Sequence, residues 1–290
     1  MAVLVGNPQL IDFPVNRRLR YGLFAAATLL EMPDRVISAG LQFYADDCGN
    51  FIADYNQACG VDSPVKDFEE GSELVDTDPY WLVNRLRCGT VGRTAQDIRT
   101  VARGRLSAME QWGVENRLWN GIAAQPNVLN LVNNAGTVTV VPTAPGAGAA
   151  ISALENAFYQ VNGYVGTIHV NVQAEGALEY AGFLNPEAGV LRTRMGSAVS
   201  LGAGYGITGP AAAAPAAGFV WAFMTGYTAV WRSTDAQIPQ PDPERVMDRA
   251  LNQWDVVSER IYAAAWSGPE VFAVQVPIAA PATAATPAVP

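Results

Sequence analysis

The stretch from Thr94 to Asn120 most limits how this chain can fold, because its pattern predicts one long helix. Thr94 is a favourable N-cap, and Asp97 three positions later completes a capping-box variant. Gly121 then provides a stop signal. At 1.5 Å per residue the helix would be about 40 Å long. The apolar positions that fall on one helical stripe are Ile98, Val101, Ala102, Leu106, Met109 and Trp112.

The segments around this helix predict an α+β protein. Before it, "RVISAGLQFYADDCGN" and "YWLVNRLRCGTVG" have strand character. After it, the predicted strands "VTVVP", "GTIHVNV", "GFVWAFMTGYTAVW" and "EVFAVQVPI" alternate with the predicted helices "AAISALENAFYQV" and "QAEGALEYAGFL". From Pro277 onward a Pro/Ala-rich tail is expected to be disordered.

The shortage of charged residues indicates a surface that other subunits cover. Half of the chain is hydrophobic and only 16% is charged, whereas a typical soluble domain is about 25% charged. The net charge of −9 argues against a dedicated nucleic-acid-binding protein, because affinity for phosphates comes from lysine and arginine. A net charge of −9 does not exclude a local basic face on the surface.

Few side chains are suited to chemistry. His169 is the only histidine and lies in a predicted strand, where local packing or hydrogen bonding accounts for it. Cys48, Cys59 and Cys88 form no C-x-x-C pair, although the first two could face each other across a hairpin. No nucleophile elbow, Walker loop or metal-ligand spacing occurs. We therefore expect no catalytic residues, no cofactor and no metal site, and the cysteine count favours folding in a reducing compartment.

The sequence "GYGITG" fits a dinucleotide-binding pattern, but its surroundings do not. The following "PAAAAPAAG" disfavours the required helix, and the next acidic residue is Asp235. The glycines instead predict a tight strand and turn where backbones approach closely, including approach between identical chains. The charge-free stretch from Met195 to Trp231 is too broken by glycine and proline to predict a membrane span. The glycines concerned are Gly202, Gly204, Gly206 and Gly209.

Two adjacent blocks of opposite charge suggest contacts between subunits. Residues 60–79 are acidic around a single Lys66, whereas residues 85–105 contain six arginines and one acid, Asp97. The blocks could pair within one chain, pair head-to-tail between chains to build rings or lattices, or simply face solvent. The candidate inter-subunit residues are Asp67, Glu69, Glu70, Glu73, Asp76, Arg85, Arg87, Arg99, Arg103 and Arg105.

An ordered series of segments over residues 17–277 resembles the major capsid proteins of tailed bacteriophages, in particular those of actinobacteriophages. The series begins with "RLRYGLFAAAT", "VISAGLQFYADDCGN" and "TDPYWLVNRLRCGTVGR". It continues with "TAQDIRTVARGRLSAMEQWGVENRLWNG", "LGAGYGITGP", "GFVWAFMTG" and "ERIYAAAWSGPEVFAVQVP". Each segment is weakly specific, and the order and spacing carry the resemblance.

The resemblance implies a division of the chain. Residues 1–35 would form an N-terminal arm, and residues 36–92 an extended loop with flanking strands that reaches a neighbour. Residues 93–127 would form the spine helix and part of the peripheral domain, and residues 128–235 the axial domain, with the glycine-rich loop near the capsomer centre. Residues 236–277 would supply the closing peripheral strands, and residues 278–290 the disordered tail.

The resemblance also implies a function. The chain would assemble as hexamers and pentamers into the icosahedral head of a virion, formed in the host cytoplasm. A separate scaffold, a portal, decoration proteins and non-specifically contacted double-stranded DNA would be its partners, with no membrane. Some relatives crosslink their subunits through a Lys–Asn isopeptide bond. Lys66 lies in the presumed extended loop, but we interpret it as an ordinary surface lysine. An encapsulin-type compartment protein and an α+β enzyme of another family are the alternatives.

Overall fold

The computed structural model describes residues 19–33, 40–46, 72–89, 94–234, 247–248, 250–268 and 270–279. These residues contain four α-helices: α1 (Leu23–Ala26), α2 (Ala95–Asn120), α3 (Ala147–Asn162) and α4 (Glu175–Tyr180). The strands that precede α3 are β1 (Thr28–Glu31), β2 (Leu41–Asp46), β3 (Ser72–Thr77), β4 (Tyr80–Gly89) and β5 (Val138–Thr139). The later strands are β6 (Thr167–Asn171), β7 (Asn185–Glu187), β8 (Val190–Arg192), β9 (Ala198–Gly202), β10 (Phe219–Thr225), β11 (Thr228–Arg232), β12 (Met247–Asp248), β13 (Gln253–Trp266) and β14 (Phe272–Pro277). The predicted α+β class is confirmed.

Both ends of the long helix α2 are where the sequence predicts them. The Thr94 hydroxyl accepts a hydrogen bond from the Asp97 N–H at 3.2 Å, and the Asp97 carboxylate accepts one from the Thr94 N–H at 2.8 Å. Gly121 ends the helix with a φ of 70°. A Cβ atom there would lie 2.6 Å from the side-chain nitrogen of Asn130, so glycine is required on both conformational and steric grounds.

The predicted apolar stripe of α2 is only half right. Ile98, Ala102 and Leu106 are buried, but Val101, Met109 and Trp112 are 36%, 56% and 47% exposed. The second half of the helix buries a different face, which includes polar groups, because it passes between other elements of the fold. The buried residues of that half include Glu110, Gln111, Val114, Glu115, Leu118 and Trp119.

A seven-stranded sheet forms one core with α3. Its strand order is β5-β14-β10-β6-β9-β8-β7. Strand β6 lies between β10 and β9 and is buried along its whole length. Helix α3 buries Ile151, Leu154 and Phe158 against this sheet, so the helical period in the sequence corresponds to a real buried face.

A second sheet carries β4 and the longest strand, β13. Strand β13 pairs with β11 and β12, and β11 pairs in parallel with β1. Strands β4 and β13 form a ten-residue antiparallel ladder, from Tyr80 opposite Tyr262 to Gly89 opposite Gln253. Helix α2 packs against this ladder.

The segment "GFVWAFMTGYTAVW" was predicted as one strand, and this prediction is wrong. It forms β10 and β11, which belong to different sheets. The change of sheet occurs at Gly226, where a Cβ atom would lie 2.0 Å from the Ser267 carbonyl oxygen. A continuous apolar run gives no sign of such a change when both strands are buried.

Candidate subunit interface

An apolar groove separates β4 from the middle of α2. It has a volume of about 520 Å³, and its lining includes Leu82, Val83, Leu106, Met109 and Trp112. Val83 is 57% exposed. Within the described residues β4 pairs with β13 along one edge and with no strand along the other. A protein surface that combines exposed apolar side chains with an open strand edge is typical of a binding interface.

Arg85 and Arg87 lie on β4 and share one acidic partner. Both contact the carboxylate of Asp255 on β13, Arg85 through two nitrogens and Arg87 at 3.1 Å. The hydrogen bonds from Arg85 are the main reason that the pKa of Asp255 is lowered to about 2. The arginine side chains remain 62% and 53% exposed, so this intrachain pairing leaves them accessible to a further acidic partner.

The remaining predicted arginines lie on α2. Arg103 and Arg105 are exposed, Arg99 is half-buried, and Arg105 borders the groove. Together with Arg85 and Arg87 they place the predicted basic residues on two elements that pack against each other.

The acidic half of the predicted interface is mostly outside the described residues. Asp76 is exposed near the end of β3, and Glu73 lies within that strand. Cys88 is half-buried near Leu86, with its thiol free. The pairing of charges between subunits therefore stays a prediction. The predicted residues outside the described part are Cys48, Cys59, Lys66, Asp67, Glu69, Glu70 and Arg93.

Glu110, one of two buried carboxylates on α2, is balanced by cations. It is 1% exposed and contacts Arg260, while the Tyr262 hydroxyl donates a hydrogen bond to it at 2.6 Å. Arg232 lies 3.5 Å from its other oxygen. These contacts join α2 to β11 and β13. They also explain why the Glu110 charge can be buried, since a buried charge is tolerated when it is paired and hydrogen-bonded.

Glu115, the second buried carboxylate, is held mainly by backbone groups. Its Oε1 accepts the Leu23 N–H at 3.0 Å and its Oε2 accepts the Gly204 N–H at 2.9 Å. Burial raises the pKa of Glu115, and these hydrogen bonds together with one from Gln111 oppose the rise. Sequence reasoning missed this site. A signal existed, because Gln111, Glu115 and Leu118 share one helical face.

The glycine-rich segment approaches the rest of its own chain closely, as the sequence predicts. A Cβ atom at Gly204 would lie 2.2 Å from the Trp112 carbonyl oxygen, and one at Gly206 would lie 2.8 Å from the Trp119 ring. One at Gly209 would lie 2.3 Å from the Trp221 ring. The contacts of Gly202, Gly204, Gly206 and Gly209 within one chain thus explain the glycines, and their location at a capsomer centre stays a prediction.

His169 has the structural role expected from the sequence. It is fully buried, with Nδ1 3.1 Å from the Tyr205 hydroxyl and Nε2 3.0 Å from the Thr225 hydroxyl. Burial lowers its pKa to about 3, so it is neutral at physiological pH. Within the described ranges, no three His, Cys, Asp or Glu residues are grouped so as to hold a metal ion.

Comparison with known proteins identifies the fold. No protein-family model and no curated protein sequence matches the chain. Among solved structures, the capsid of Ralstonia phage GP4 matches with a TM-score of 0.56 and 13% identity, over 97% of each chain. A structure of Microbacterium phage Oxtober96 matches with a TM-score of 0.53 and 10% identity, over 94% of this chain and 95% of that one. The chain has the tailed-phage capsid fold.

The same capsid fold occurs outside viruses. The SrpI encapsulin complex of Synechococcus elongatus matches with a TM-score of 0.55 and 10% identity, over 98% of this chain and 96% of the encapsulin. The capsid fold therefore agrees with the resemblance drawn from the sequence. At sequence identities of 10–13%, a structural match shows the architecture and not the function. No helix in the described part of the chain has the length and apolar character needed to cross a bilayer.

Proposed function

We propose that this chain is a major capsid protein that assembles as hexamers and pentamers into the icosahedral head enclosing a phage genome. The observation that carries the proposal is the match to the capsid of Ralstonia phage GP4 over 97% of both chains. The match therefore extends over nearly the whole of this chain and of the GP4 capsid chain. The proposal assigns the chain a structural role in the virion, with no catalytic step.

The surface near β4 supports an assembling subunit. Trp81 and Val83 are 50% and 57% exposed on β4, and Met109 and Trp112 are 56% and 47% exposed on α2. Large exposed apolar side chains on neighbouring elements are a liability for a solitary soluble protein. Burial of such groups between copies removes that liability and contributes to association at about 25 cal/mol per Å².

Charge complementarity supports a head-to-tail contact at this surface. In the proposed shell, the acidic segment around Glu69, Glu70 and Glu73 of one copy lies on the arginines of β4 and α2 of the next. Single exposed ion pairs contribute about 0 to 1 kcal/mol each, so the charges set register and orientation while the apolar groove supplies area. The other proposed charges are Asp67, Asp76, Arg85, Arg87, Arg99, Arg103 and Arg105.

The remaining parts of the proposal follow the capsid fold. The glycine-rich segment 202–209 would lie near the capsomer centre, with the exposed residues 211–214 and 216–219 beside it available for contacts between copies. The arm, extended loop, axial and peripheral divisions follow the boundaries given above. A scaffold, a portal, decoration proteins and packaged double-stranded DNA are the proposed partners, and assembly would take place in the host cytoplasm.

The proposal is tested by electron microscopy of the purified chain and of a charge-reversed variant. We expect closed shells from the wild type and none from Glu69→Lys/Glu70→Lys/Glu73→Lys, whose circular dichroism should stay that of a folded subunit. The matched control reverses three exposed acids elsewhere, Glu175, Glu179 and Glu187, and should still assemble. Normal particles from the first variant would contradict the charge pairing. A wild-type chain that forms no shell, alone or with a scaffold, would contradict the function.

An encapsulin-type compartment is the second candidate, favoured by the SrpI match over 98% of this chain. The two candidates differ in particle content. A capsid protein made during infection should be recovered in particles that protect double-stranded DNA from nuclease. An encapsulin should be recovered in particles that contain a protein cargo and no protected DNA.

A further inference from the structure

An apolar groove lies where β14 ends, beside the loop that connects β5 to α3. It has a volume of about 560 Å³, and none of the described residues that line it is charged. Val141 is 80% exposed there, and Phe219, at the start of β10, is 37% exposed. Cover of such a surface by another segment removes apolar area from water and is therefore favourable. The lining includes Val141, Pro142, Pro145, Phe219, Pro277 and Ala279.

The edge of β14 is open along this groove. Strand β14 pairs with β10 from Phe272 to Pro277, but with β5 only at Phe272 and Ala273. The Val140 N–H donates to the Ala273 carbonyl at 2.8 Å. Because backbone groups of a strand point to alternate sides, Gln275 is the next residue whose backbone faces this edge. In the described part of the chain no strand pairs with that edge beyond β5, so an extended segment in the groove can bond to it.

Helix α3 also begins at the groove. Its N-cap, Gly146, lines the groove and has no side chain to accept a hydrogen bond from the first turn. The first N–H groups of a helix have no acceptor within the helix and need one from outside it. Carbonyl oxygens of an extended segment in the groove would supply acceptors for residues 147–149.

The part of the chain that follows the described residues starts at this groove. Ala279 lines the groove, and residues 280–290 come directly after it. They contain three prolines and no charged residue, and their other side chains are alanine, threonine and valine. Such a composition favours the extended polyproline II conformation, which docks in apolar grooves that contain an aromatic ring. At about 3.1 Å per residue the segment would span about 34 Å, which is ample for a groove of this volume.

We propose that residues 280–290 fold back and bind in the groove of their own subunit. The covalent connection favours the same copy, since a short flexible link gives an effective concentration in the millimolar range. The bound segment covers Val141 and Phe219, pairs with the edge of β14 at Gln275, and provides acceptors for the first turn of α3. Composition alone predicts disorder for this segment, because the groove that receives it is formed by distant parts of the chain. The inference goes beyond the proposed capsid function and does not depend on it.

The test is amide hydrogen exchange of the unassembled full chain and of a variant that ends at Ala279. We expect the amides of residues 147–149 and of Gln275 to exchange at least about tenfold faster in the shortened variant, because the segment occupies the groove about 90% of the time or more. The amides of β6, in the middle of the same sheet, should be unchanged and report an intact fold. Equal exchange at the groove in the two chains would overturn the proposal.

A matched pair of substitutions tests the groove while the segment is present. Phe219→Ser removes the aromatic ring from the lining and should accelerate exchange of residues 147–149, as the shortened variant does. The control Tyr180→Ser removes a ring that is 62% exposed on α4, outside the groove, and should leave this exchange unchanged. Full protection of residues 147–149 in Phe219→Ser would contradict binding at this groove.

Photo-crosslinking identifies the copy that is bound. Ala285 is replaced by p-benzoylphenylalanine in a mixture of isotopically light and heavy chains, and the links are mapped by mass spectrometry. We expect links from position 285 to residues 141–150 within one copy. Links between light and heavy copies, or to residues outside the groove, would overturn the proposal. Since the unassembled chain is measured, this result is independent of whether shells form.

Discussion

The two halves of α2 differ in what they contact, although they belong to one continuous helix. The first half packs against a small cluster in which only Leu86, Ile98, Ala102 and Val256 are buried. The second half is enclosed by the larger cluster that contains Trp119 at 0% exposure, and it carries both buried carboxylates. The first half thus leaves most of its surface to solvent, whereas the second half holds the subunit together.

This difference suggests a division of labour within one element. A subunit that assembles must keep its fold while one of its surfaces gains new contacts. Rigid attachment at one end of a helix allows the other end to present side chains to a partner in a fixed geometry. Substitutions of buried residues in the second half should therefore act on stability, and substitutions of exposed residues on the helix, such as Arg103, Arg105 and Trp112, on assembly.

The largest effect is expected from Trp119→Ala. The Trp119 ring contacts those of Tyr205 and Phe223, with centroids 5.3 and 4.9 Å away, and its Nε1 donates to the Thr208 carbonyl at 3.1 Å. We expect a loss of about 3–5 kcal/mol in the free energy of unfolding, measured by urea denaturation. The control Trp112→Ala removes a half-exposed ring from the same helix and should lower particle yield more than stability. Equal losses in the two variants would break the comparison.

The next largest effect is expected from Glu110→Ala. Removal of the carboxylate leaves Arg260 without its buried acidic partner, which should lower the free energy of unfolding by about 3 kcal/mol. Thermal denaturation of this variant should be compared with that of Glu179→Ala, which truncates an exposed glutamate on α4. A negligible difference between them would show that Arg260 finds another partner or water.

A smaller effect is expected in the first half of α2. Ile98→Ala removes a fully buried side chain from the small cluster, and we expect a loss of about 2 kcal/mol, near the lower limit for such truncations, because a small cluster can relax. Val101→Ala, one turn away and 36% exposed, is the control and should change stability by less than about 1 kcal/mol. A loss at position 98 as large as that at Trp119 would mean that the halves are equally important for stability.

The helix cap should contribute less again. Thr94→Ala removes both side-chain hydrogen bonds with Asp97, for an expected loss of about 1 kcal/mol in chemical denaturation. Thr100→Ala, an exposed position one turn into the helix, is the control and should have a much smaller effect. Equal effects would show that the cap does not limit the stability of the first half.

The smallest effect concerns Asp255 and its pH dependence. Because Arg85 and Arg87 lower the pKa of Asp255 to about 2, its stabilising contribution is present above the ordinary pKa of 3.8 and is lost as the pH falls towards 2. The difference in urea midpoint between wild type and Asp255→Asn should therefore shrink between pH 5 and pH 2. A difference that is constant with pH would show that the ion pairs contribute nothing measurable.

The sequence was informative about α2 where local signals act. The cap at Thr94 and the glycine at 121 specify both ends through hydrogen bonds within a few residues, and both predictions were confirmed. The buried face could not be read in the same way. Met109 and Trp112 fit the apolar period but are exposed, because burial depends on which distant elements cover each side of the helix.

The candidate interface was predictable only in part. The arginines were identified from charge alone, but their partner Asp255 lies 170 positions from Arg85, a separation that no local pattern reveals. The buried site of Glu115 was missed for a similar reason, because its donors are backbone N–H groups that leave no trace in residue identity. The visible sign was Gly202, where a Cβ atom would lie 2.6 Å from Glu115 Cδ; the glycine-rich segment predicted a close approach of backbones but not the acid beside it.

The order of the strands has a consequence for biosynthesis. Strand β13 is the central member of its sheet and β14 lies inside the other, between β5 and β10, although both are the last described strands to leave the ribosome. A nascent chain that stops before residue 253 can complete neither sheet. Truncated translation products should thus remain unfolded and be degraded, and only chains that extend past residue 277 would be competent to join a growing particle.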